Sequence, residues 1–217
     1  ELSGLSGLSF RGAGLVLRRG GKRVLERSGD LLITHEGLSG PLVLDCSRDI
    51  EKGDLLEIRY PWEGIAGGIS QGRAQEELAA LLDEAVLRGP RLLVRTALSS
   101  AGLPRALSQY ISGKAGLPED ATLASLSRVA RRELTQLVTA FPLTVSALGG
   151  VETAMVTAGG IDLASVDSAS MESRLVPGLF FAGEILDYDG DTGGYNLHAA
   201  FATAALAAAA IAGRSPG

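Results

Sequence analysis

Short apolar runs separated by turn signals dominate the first 60 residues. Their spacing predicts strands at residues 13–19, 23–26, 31–34 and 55–60. Gly20-Gly21-Lys22 is a hairpin signal between the first two runs, because paired glycines accept the positive φ angles of a two-residue turn. Residues 40–47 are expected to form a short helix with Ser39 as its N-cap and Pro41 in its first turn. Together these elements predict a small β-barrel or bent sheet.

From residue 71 the apolar positions recur at helical spacing instead. Leu78, Leu82 and Val86 fall on one face of a helix, and Gly89-Pro90 ends the run. Helices are predicted at residues 71–87, 103–111 and 126–139. β character returns in residues 143–160, at Leu143, Val145, Met155 and Val156. The pattern therefore predicts an α+β protein with a discontinuous β-rich domain (1–70 and 142–160) and a helical insert (71–141).

Residues 161–217 form a third predicted unit around one apolar run. Residues 179–182 are apolar without alternation and are bounded by Gly178 and Gly183, which predicts a strand buried on both faces of a parallel sheet. Glu184 follows at the carboxyl end of this strand, where open α/β sheets place ligands. After an acidic loop and Gly193-Gly194, residues 195–212 are a long run of helix formers.

Composition places the chain among soluble globular proteins. Its 217 residues are 46% hydrophobic and 21% charged, which is enough to bury a sizeable core. The net charge of −5 and the lack of a basic tract disfavour a nucleic-acid partner. Cys46, as the single cysteine, excludes an internal disulfide and is expected in the core of a cytoplasmic protein. The Ala-rich end is expected to be a packed helix, because it is shorter and less apolar than a membrane span.

Two glycine-containing motifs in the last unit are candidate binding elements. Glu184 after Gly183 could accept a hydrogen bond from a ligand hydroxyl, and alternatively is a solvated loop acid. Gly193-Gly194 before Tyr195 and Asn196 would expose backbone N–H groups at the positive end of a helix dipole. The alternative for that segment is a simple glycine turn with an asparagine cap.

The remaining acidic and histidine-containing motifs give weaker indications of a binding or catalytic site. Asp187, Asp189 and Asp191 alternate like calcium ligands, but the loop lacks the glycine and glutamate that an EF-hand requires, so a solvated acidic loop is expected. His35-Glu36 precede a glycine-rich turn and could act as acid or base, although a structural role is favoured. His198 is expected to serve packing or the surface. Two histidines without paired cysteines give no expectation of a metal site.

Five blocks of the sequence, taken together, resemble one known family. They are residues 30–41, 141–145, 156–161, 170–177 and 177–196. In this order they are similar to the YhiN/BaiN-type flavoproteins, which are NAD(P)/FAD-dependent oxidoreductases often labelled aminoacetone-oxidase-like. The resemblance implies a substrate-side β-domain with a helical insert, followed by the last strand and helix of a two-dinucleotide-fold, Rossmann-like FAD domain. Small-molecule substrates and NAD(P)H as co-substrate are implied in the same way.

The resemblance also implies which residues contact FAD. Gly183 and Glu184 would meet the ribityl chain, and Gly193, Gly194, Tyr195 and Asn196 would bring N–H groups to the flavin pyrimidine edge; no catalytic acid or base is implied. The strand–Gly-x-Gly-x-x-Gly–helix unit of the family does not occur in this sequence. We therefore expect a carboxyl-terminal portion of such an enzyme, inactive alone. The alternative is a cofactor-free module or interaction domain that needs a separate amino-terminal half or pairs as a homo-oligomer.

Overall fold

The computed structural model of the chain describes residues 2–62, 71–150, 152 and 154–213. The chain divides into two compact units, which we call the N-terminal unit (residues 1–147) and the C-terminal unit (residues 148–217). The N-terminal unit combines an antiparallel sheet with helices, so the α+β class is confirmed. The predicted boundary at residue 70 lies outside the described residues.

One curled antiparallel sheet, a half-barrel, organises the N-terminal unit. Its described strands are β1 (Ser9–Arg19), β2 (Lys22–Ile33), β3 (Leu38–Ser39), β4 (Leu55–Arg59) and β5 (Phe141–Thr144). They lie in the order β3-β2-β1-β4-β5, and every neighbouring pair is antiparallel. Because β5 pairs with β4 after a long helical stretch, the sheet is built from two separated parts of the chain. The predicted bent sheet is confirmed, as a half-barrel.

The predicted hairpin forms, but its second strand is longer than expected. Gly20 and Gly21 have φ angles of 57° and 79°, and Arg19 pairs with Lys22 beside them. Both glycines therefore occupy the left-handed region that a tight two-residue hairpin turn needs. The runs at residues 23–26 and 31–34, predicted as separate strands, belong to the single strand β2.

Helices cover the middle of the N-terminal unit. They are α1 (Pro41–Cys46), α2 (Gln71–Arg88), α3 (Val94–Ser100), α4 (Arg105–Lys114) and α5 (Arg128–Thr139). The short helix after residue 40 and the three helices of the insert are confirmed, whereas α3 was not predicted because it spans only seven residues. The N-cap of α1 is Gly40 and not Ser39, because Ser39 pairs with Leu32 in the sheet.

A single hydrophobic core joins the sheet to these helices. Leu15 and Leu17 of β1 and Ile58 of β4 point to one face of the sheet and are fully buried there with residues such as Leu78 and Leu107 from the helices. Burying one such side chain stabilises the fold by about 1.5–3 kcal/mol. Cys46 belongs to this core, as the sequence predicted. The N-terminal unit therefore has the buried apolar surface of a stable domain.

The C-terminal unit has one long helix and little other regular structure. The helix is α6 (Tyr195–Ala212), with the bounds that the sequence predicts. Short 3₁₀ turns occur at Leu163–Ser165 and Gly183–Ile185. Bridges between single residue pairs hold the rest together: Ile161 with Leu186, Val166 with Ser173, and Glu172 with Phe180.

Two predictions for this part of the chain are wrong. Residues 179–182 do not form a strand in a parallel sheet: Phe180 makes one antiparallel bridge to Glu172, and Leu179 is 42% exposed. No parallel strands flank this run in the described residues; its backbone bonds instead to a neighbouring loop, with the carbonyl of Leu179 accepting from the N–H of Ser173 at 2.7 Å and the N–H of Phe181 donating to the carbonyl of Met171 at 3.0 Å. The β character predicted at Met155 and Val156 is also absent, since no strand forms in the described residues between 145 and 160.

Candidate cofactor site

A cavity of about 300 Å³ lies within the C-terminal unit. Three parts of the unit form its wall: the turn at Gly183–Ile185 with its flanks, the first turns of α6, and Leu163 from the turn at Leu163–Ser165. The lining residues are Leu163, Gly183, Glu184, Leu186, Tyr188, Asn196, Ala199, Ala200 and Thr203. The cavity thus collects three of the six residues that the sequence singled out, namely Gly183, Glu184 and Asn196.

Thr203 fixes the Gly183 turn to α6. The backbone N–H of Gly183 donates to Thr203 Oγ1 at 3.0 Å, and this hydroxyl in turn donates to the carbonyl of Ala199 at 2.7 Å. Gly183 has a φ of 79°, and a Cβ there would meet no atom within 4 Å. The glycine therefore leaves open space in front of the backbone, and Glu184 beside it is exposed. A ligand can approach both residues closely.

Asn196 holds the loop that precedes α6. Its amide makes two hydrogen bonds to one residue: Oδ1 accepts from the N–H of Gly190 at 2.7 Å, and Nδ2 donates to the carbonyl of Gly190 at 2.9 Å. The side chain is therefore engaged within the protein, and only the backbone N–H of Asn196 remains for the contact predicted from the sequence. The amide clamp itself was not predicted.

The start of α6 is open at its backbone. Gly193 and Gly194 have φ angles of 117° and 93°, and Gly194 is the N-cap, so the N-cap residue offers no side chain to the first N–H groups of the helix. Those groups have no partner within the helix and carry the positive end of its dipole. Tyr195 is 59% exposed. Gly193, Gly194 and Tyr195 do not line the cavity but directly precede Asn196, which does.

The acidic loop contributes structure as well as charge. Asp187 Oδ1 accepts from the N–H of Gly159 at 3.0 Å, and its own N–H donates to the carbonyl of Ile161 at 2.9 Å. A Cβ at Gly160 would lie 2.5 Å from the carbonyl of Ile185, so only glycine fits between these segments. The solvated loop expected from the sequence is thus partly wrong, because Asp187 ties the Gly159-Gly160 turn to the cavity wall.

Sequence reasoning missed most of the apolar lining, although a signal for it existed. Ala199, Ala200 and Thr203 follow Asn196 by three, four and seven residues, which places all of them on one helix face. Such spacing would have identified the cavity side of α6 once Asn196 was chosen. Leu163 and Tyr188 come from loops and carried no comparable signal.

Neither histidine is among the residues that line the cavity. His198 is exposed on α6, and His35 is exposed in a tight turn of the N-terminal unit. In that turn Thr34 Oγ1 accepts from the N–H groups of Glu36 and Gly37 at 3.3 Å and 3.2 Å. Among the described residues, no three His, Cys, Asp or Glu side chains group as metal ligands would.

The surface of α6 differs from the packed helix that the sequence predicted. Only Ala207 of the helix is buried, and Leu197 and Phe201 are 63% and 73% exposed. Within the described ranges, α6 is the one helix whose length and mean hydropathy of 1.3 would allow it to cross a membrane. Length and composition alone are weak evidence for a span.

The residues present fit one end of a flavin dinucleotide. The cavity offers an apolar wall and an exposed carboxylate at Glu184, and a helix start with a glycine N-cap directly precedes its lining residue Asn196. These are an apolar surface for a ring, an acceptor for hydroxyls and N–H donors for an electron-rich edge. The volume of 300 Å³ is at the lower end of the range of ligand sites, roughly 300–1,000 Å³. A whole FAD would therefore extend beyond it.

Comparison with known proteins identifies the family of the chain. Residues 19–210 match the family model described as the HI0933-like protein Rossmann domain. The chain is 32% identical over 181 residues to the ribosomal RNA dihydrouridine synthase of Haemophilus influenzae, covering 83% of this chain and 42% of the relative. It is 32% identical over 175 residues to the Escherichia coli protein of the same name, covering 81% and 40%.

A third relative has another substrate. The chain is 30% identical over 212 residues to the 3-dehydro-bile acid delta(4,6)-reductase of Clostridium scindens, covering 89% of this chain and 47% of the relative. The chain thus spans less than half the length of each of these curated relatives. The family match extends over most of the 217 residues, and the chain belongs to the HI0933-like Rossmann-domain family of flavoprotein oxidoreductases.

Proposed function

We propose that this chain supplies the pyrimidine and ribityl contacts of an FAD-dependent oxidoreductase of the YhiN/BaiN type, which transfers hydride between NAD(P)H and an organic substrate. One observation carries the proposal: the cavity of the C-terminal unit brings Gly183 and Glu184 beside the first turns of α6. The sequence resemblance had assigned these segments to the same cofactor, although they are about ten residues apart.

Each part of the site has a distinct role in the proposal. The Glu184 carboxylate accepts from a ribityl hydroxyl, since an ionised acceptor makes a stronger hydrogen bond than a neutral one. Gly183, Gly193 and Gly194 allow close approach of the backbone, and the N–H groups of Tyr195 and Asn196 favour negative charge at the pyrimidine edge. The chemistry supplied by a bound FAD is hydride transfer, and the chain contributes binding and electrostatics.

The remainder of the FAD site would come from polypeptide outside these 217 residues. The cavity is too small for a whole dinucleotide, and the curated relatives are more than twice as long as the matched segment. In a two-dinucleotide fold the pyrophosphate rests on a Gly-x-Gly-x-x-Gly helix start, which this sequence does not contain. The competing proposal is a cofactor-free or interaction module that requires a separate half for any activity.

The names of the relatives suggest a class of substrate. Dihydrouridine is uridine with its C5–C6 double bond reduced, and a delta(4,6)-reductase of a 3-dehydro bile acid acts on double bonds near a ketone. Both substrates contain a carbon–carbon double bond conjugated with a carbonyl group. We propose the same reaction for the whole enzyme: hydride adds to the carbon remote from the carbonyl, a proton adds to the adjacent carbon, and NAD(P)H supplies the electron pair.

Between the two kinds of substrate, we favour a small molecule in a cytoplasmic enzyme. The net charge of −5 gives little attraction for phosphates. A ribosomal RNA base is the second candidate, favoured by the 32% identity to two relatives with that named activity. Mass spectrometry of ribosomal RNA and of a conjugated steroid ketone after incubation with the complete enzyme and NADPH distinguishes them, because reduction adds two mass units to only one.

A flavin titration of the purified chain tests the proposed site. We expect a saturable change in the visible absorbance of FAD, reversed by desalting because only part of the site is present. Glu184→Ala should weaken this binding about tenfold, the size of one lost charged hydrogen bond. Glu36→Ala is the matched control, since it removes an exposed carboxylate of the N-terminal unit. A folded chain that leaves the FAD spectrum unchanged at millimolar concentrations would contradict the proposal.

A further inference from the structure

The N–H of Gly183 finds its hydrogen-bonding partner outside its own turn. Gly183 is the first residue of the 3₁₀ turn Gly183–Ile185, and the first N–H groups of a helical turn have no partner within it. Thr203 Oγ1, 20 residues further along the chain, accepts this N–H at 3.0 Å. The hydroxyl therefore satisfies the start of the turn from the side of α6, and both residues line the cavity.

A second link holds the other end of this turn. The N–H of Ile161 donates to the carbonyl of Ile185 at 2.8 Å, and the N–H of Asp187 donates to the carbonyl of Ile161 at 2.9 Å. Glu184 lies between these two bonds and the bond to Thr203. In the part of the chain that the structure describes, neither the N–H nor the carboxylate of Glu184 has a hydrogen-bonding partner. The turn is thus fixed on both sides of Glu184, whose polar groups remain for a ligand.

The Thr203 hydroxyl is itself held in one orientation. As a donor it bonds to the carbonyl of Ala199 at 2.7 Å and to that of Ala200 at 3.1 Å, one turn earlier in α6. Because its one hydrogen is directed at those carbonyls, the oxygen can act towards Gly183 only as an acceptor. Thr203 follows Asn196 by seven residues, so both lie on one helix face with their Cα atoms roughly 10 Å apart along the axis. One helix therefore carries both the support of Glu184 and the Asn196 end of the cavity.

We propose that Thr203 is a positioning residue for the cofactor: its hydroxyl holds Gly183, and through it Glu184, at a fixed place relative to Asn196. This inference rests on the proposed flavin site and adds a residue to it. A ligand that contacts Glu184 and the start of α6 at once needs the two contacts at a fixed separation. Groups that already have this separation bind more tightly, because no ordering of the turn is required on binding.

Flavin titration of variants of the 217-residue chain tests this role. Thr203→Val keeps the branched shape of the side chain but removes the acceptor, so it should weaken FAD binding roughly tenfold, the size of one hydrogen bond. Thr203→Ser retains the hydroxyl and should bind FAD within about threefold of the wild type. Thr135→Val is the matched control. Thr135 Oγ1 also donates to a carbonyl four residues earlier, that of Arg131 at 2.8 Å, but it lies in the N-terminal unit, so FAD binding should not change.

A double-mutant cycle separates positioning from a general loss of structure. Because Thr203 acts through Glu184 in the proposal, Thr203→Val should lower the FAD affinity by less than about threefold in a chain that already carries Glu184→Ala. Independent effects would instead multiply to a loss of roughly a hundredfold, and that result would overturn the proposal. Circular dichroism checks that each variant keeps its helices.

Hydrogen exchange of the Gly183 amide, measured by NMR without FAD, tests the bond itself. Thr203→Val should speed this exchange roughly tenfold, whereas Thr203→Ser should leave it unchanged. Unchanged exchange in Thr203→Val would overturn the proposal, because the hydroxyl would then not hold the turn. Equal FAD affinities of the wild type and Thr203→Val would overturn this inference alone. A folded wild-type chain that binds no FAD would overturn the proposed function together with it.

Discussion

The two units differ in how completely they bury their apolar residues. Among the described residues, the core of the N-terminal unit contains 30 buried hydrophobic residues, whereas that of the C-terminal unit contains four: Val166, Met171, Leu186 and Ala207. Most of the large exposed hydrophobic side chains nevertheless belong to the shorter C-terminal unit. The N-terminal unit thus has the features of an independent domain, and the C-terminal unit those of a layer that depends on a partner surface.

This difference matches the proposed roles. A sheet and helices with a shared core give a rigid frame, which suits a substrate domain. The C-terminal unit has few buried residues, and a Cβ at Gly183 or Gly194 would meet no atom within 4 Å. This free space beside the backbone suits a cofactor that approaches main-chain atoms closely. The low burial of the C-terminal unit is therefore what we expect of part of a Rossmann-like domain separated from its parallel sheet.

The largest predicted effect separates the two cores directly. Leu107→Ala in α4 should lower the free energy of unfolding by about 3 kcal/mol, because Leu107 is fully buried and its removal leaves a cavity. Leu197→Ala in α6 should change it by less than about 0.5 kcal/mol, since that side chain is mostly exposed. Urea unfolding followed by far-ultraviolet circular dichroism, which reports the helices of both units, measures both. Equal effects would refute the contrast between the units.

Hydrogen exchange should show the same contrast along the backbone. Amides of α6 are expected to exchange at least about 100-fold faster than those of the central strand β1, because few buried contacts oppose the opening of the helix. Mass spectrometry of peptic fragments at dilute protein concentration provides the measurement. Protection of α6 as strong as that of β1 would contradict the contrast, because it would mean that the helix is stabilised as firmly as the core of the N-terminal unit.

Gly40→Ala tests how tightly the N-terminal unit is packed outside its core. Gly40 has a φ of 93°, and a Cβ there would lie 2.8 Å from the carbonyl of Asp30. We expect a loss of about 2–3 kcal/mol from strain and crowding together. Gly53→Ala is the control, because Gly53 has a φ of 94° but open space around it, so about 1 kcal/mol of strain remains. Equal losses in thermal or urea unfolding would show that the close approach is unimportant.

The smallest predicted effect is a loss of stability at low pH. Arg19 binds Asp54 with Nε and Nη2, each 2.9 Å from a carboxylate oxygen, and this lowers the pKa of Asp54 to about 2. Because the folded pKa is below the ordinary value of 3.8, this contribution to stability is complete above about pH 4 and is lost as the pH falls towards 2. The urea concentration at the midpoint of unfolding, followed by Trp62 fluorescence, should decrease as the pH is lowered from about 4 to 2. The decrease should be smaller in Asp54→Asn. An unchanged pH profile in Asp54→Asn would contradict this role.

Local patterns predicted the N-terminal unit well, and for a physical reason. Turn residues and hydrophobic periodicity determine the Gly20-Gly21 hairpin, the short helix after Gly40 and the insert helices. Both are properties of residues close together in the sequence. Residues 179–182 have an equally clear strand pattern, but a strand of that type needs hydrogen-bonding neighbours on both sides, and the described residues offer one bridge at Phe180. Sequence pattern alone cannot show whether such neighbours belong to the chain.

The candidate site was predictable only in part. Gly183, Glu184 and the glycines before α6 could be identified from the sequence, because a glycine or a charged residue beside an apolar run indicates a turn or a binding group. The clamp of Asn196 on Gly190 and the link from Gly183 to Thr203 were not found, because hydrogen bonds between residues 6 and 20 positions apart depend on the folded loop. Whether these residues contact a flavin remains a prediction that binding data must test.

Backbone NMR of the labelled chain during FAD addition tests the central claim most directly. We expect saturable shifts of the amide resonances of Gly183, Glu184, Gly194, Tyr195 and Asn196, with those of the N-terminal core unchanged. Shifts confined to other residues, or none at millimolar FAD in a folded chain, would contradict the assignment of this cavity as one end of a flavin site.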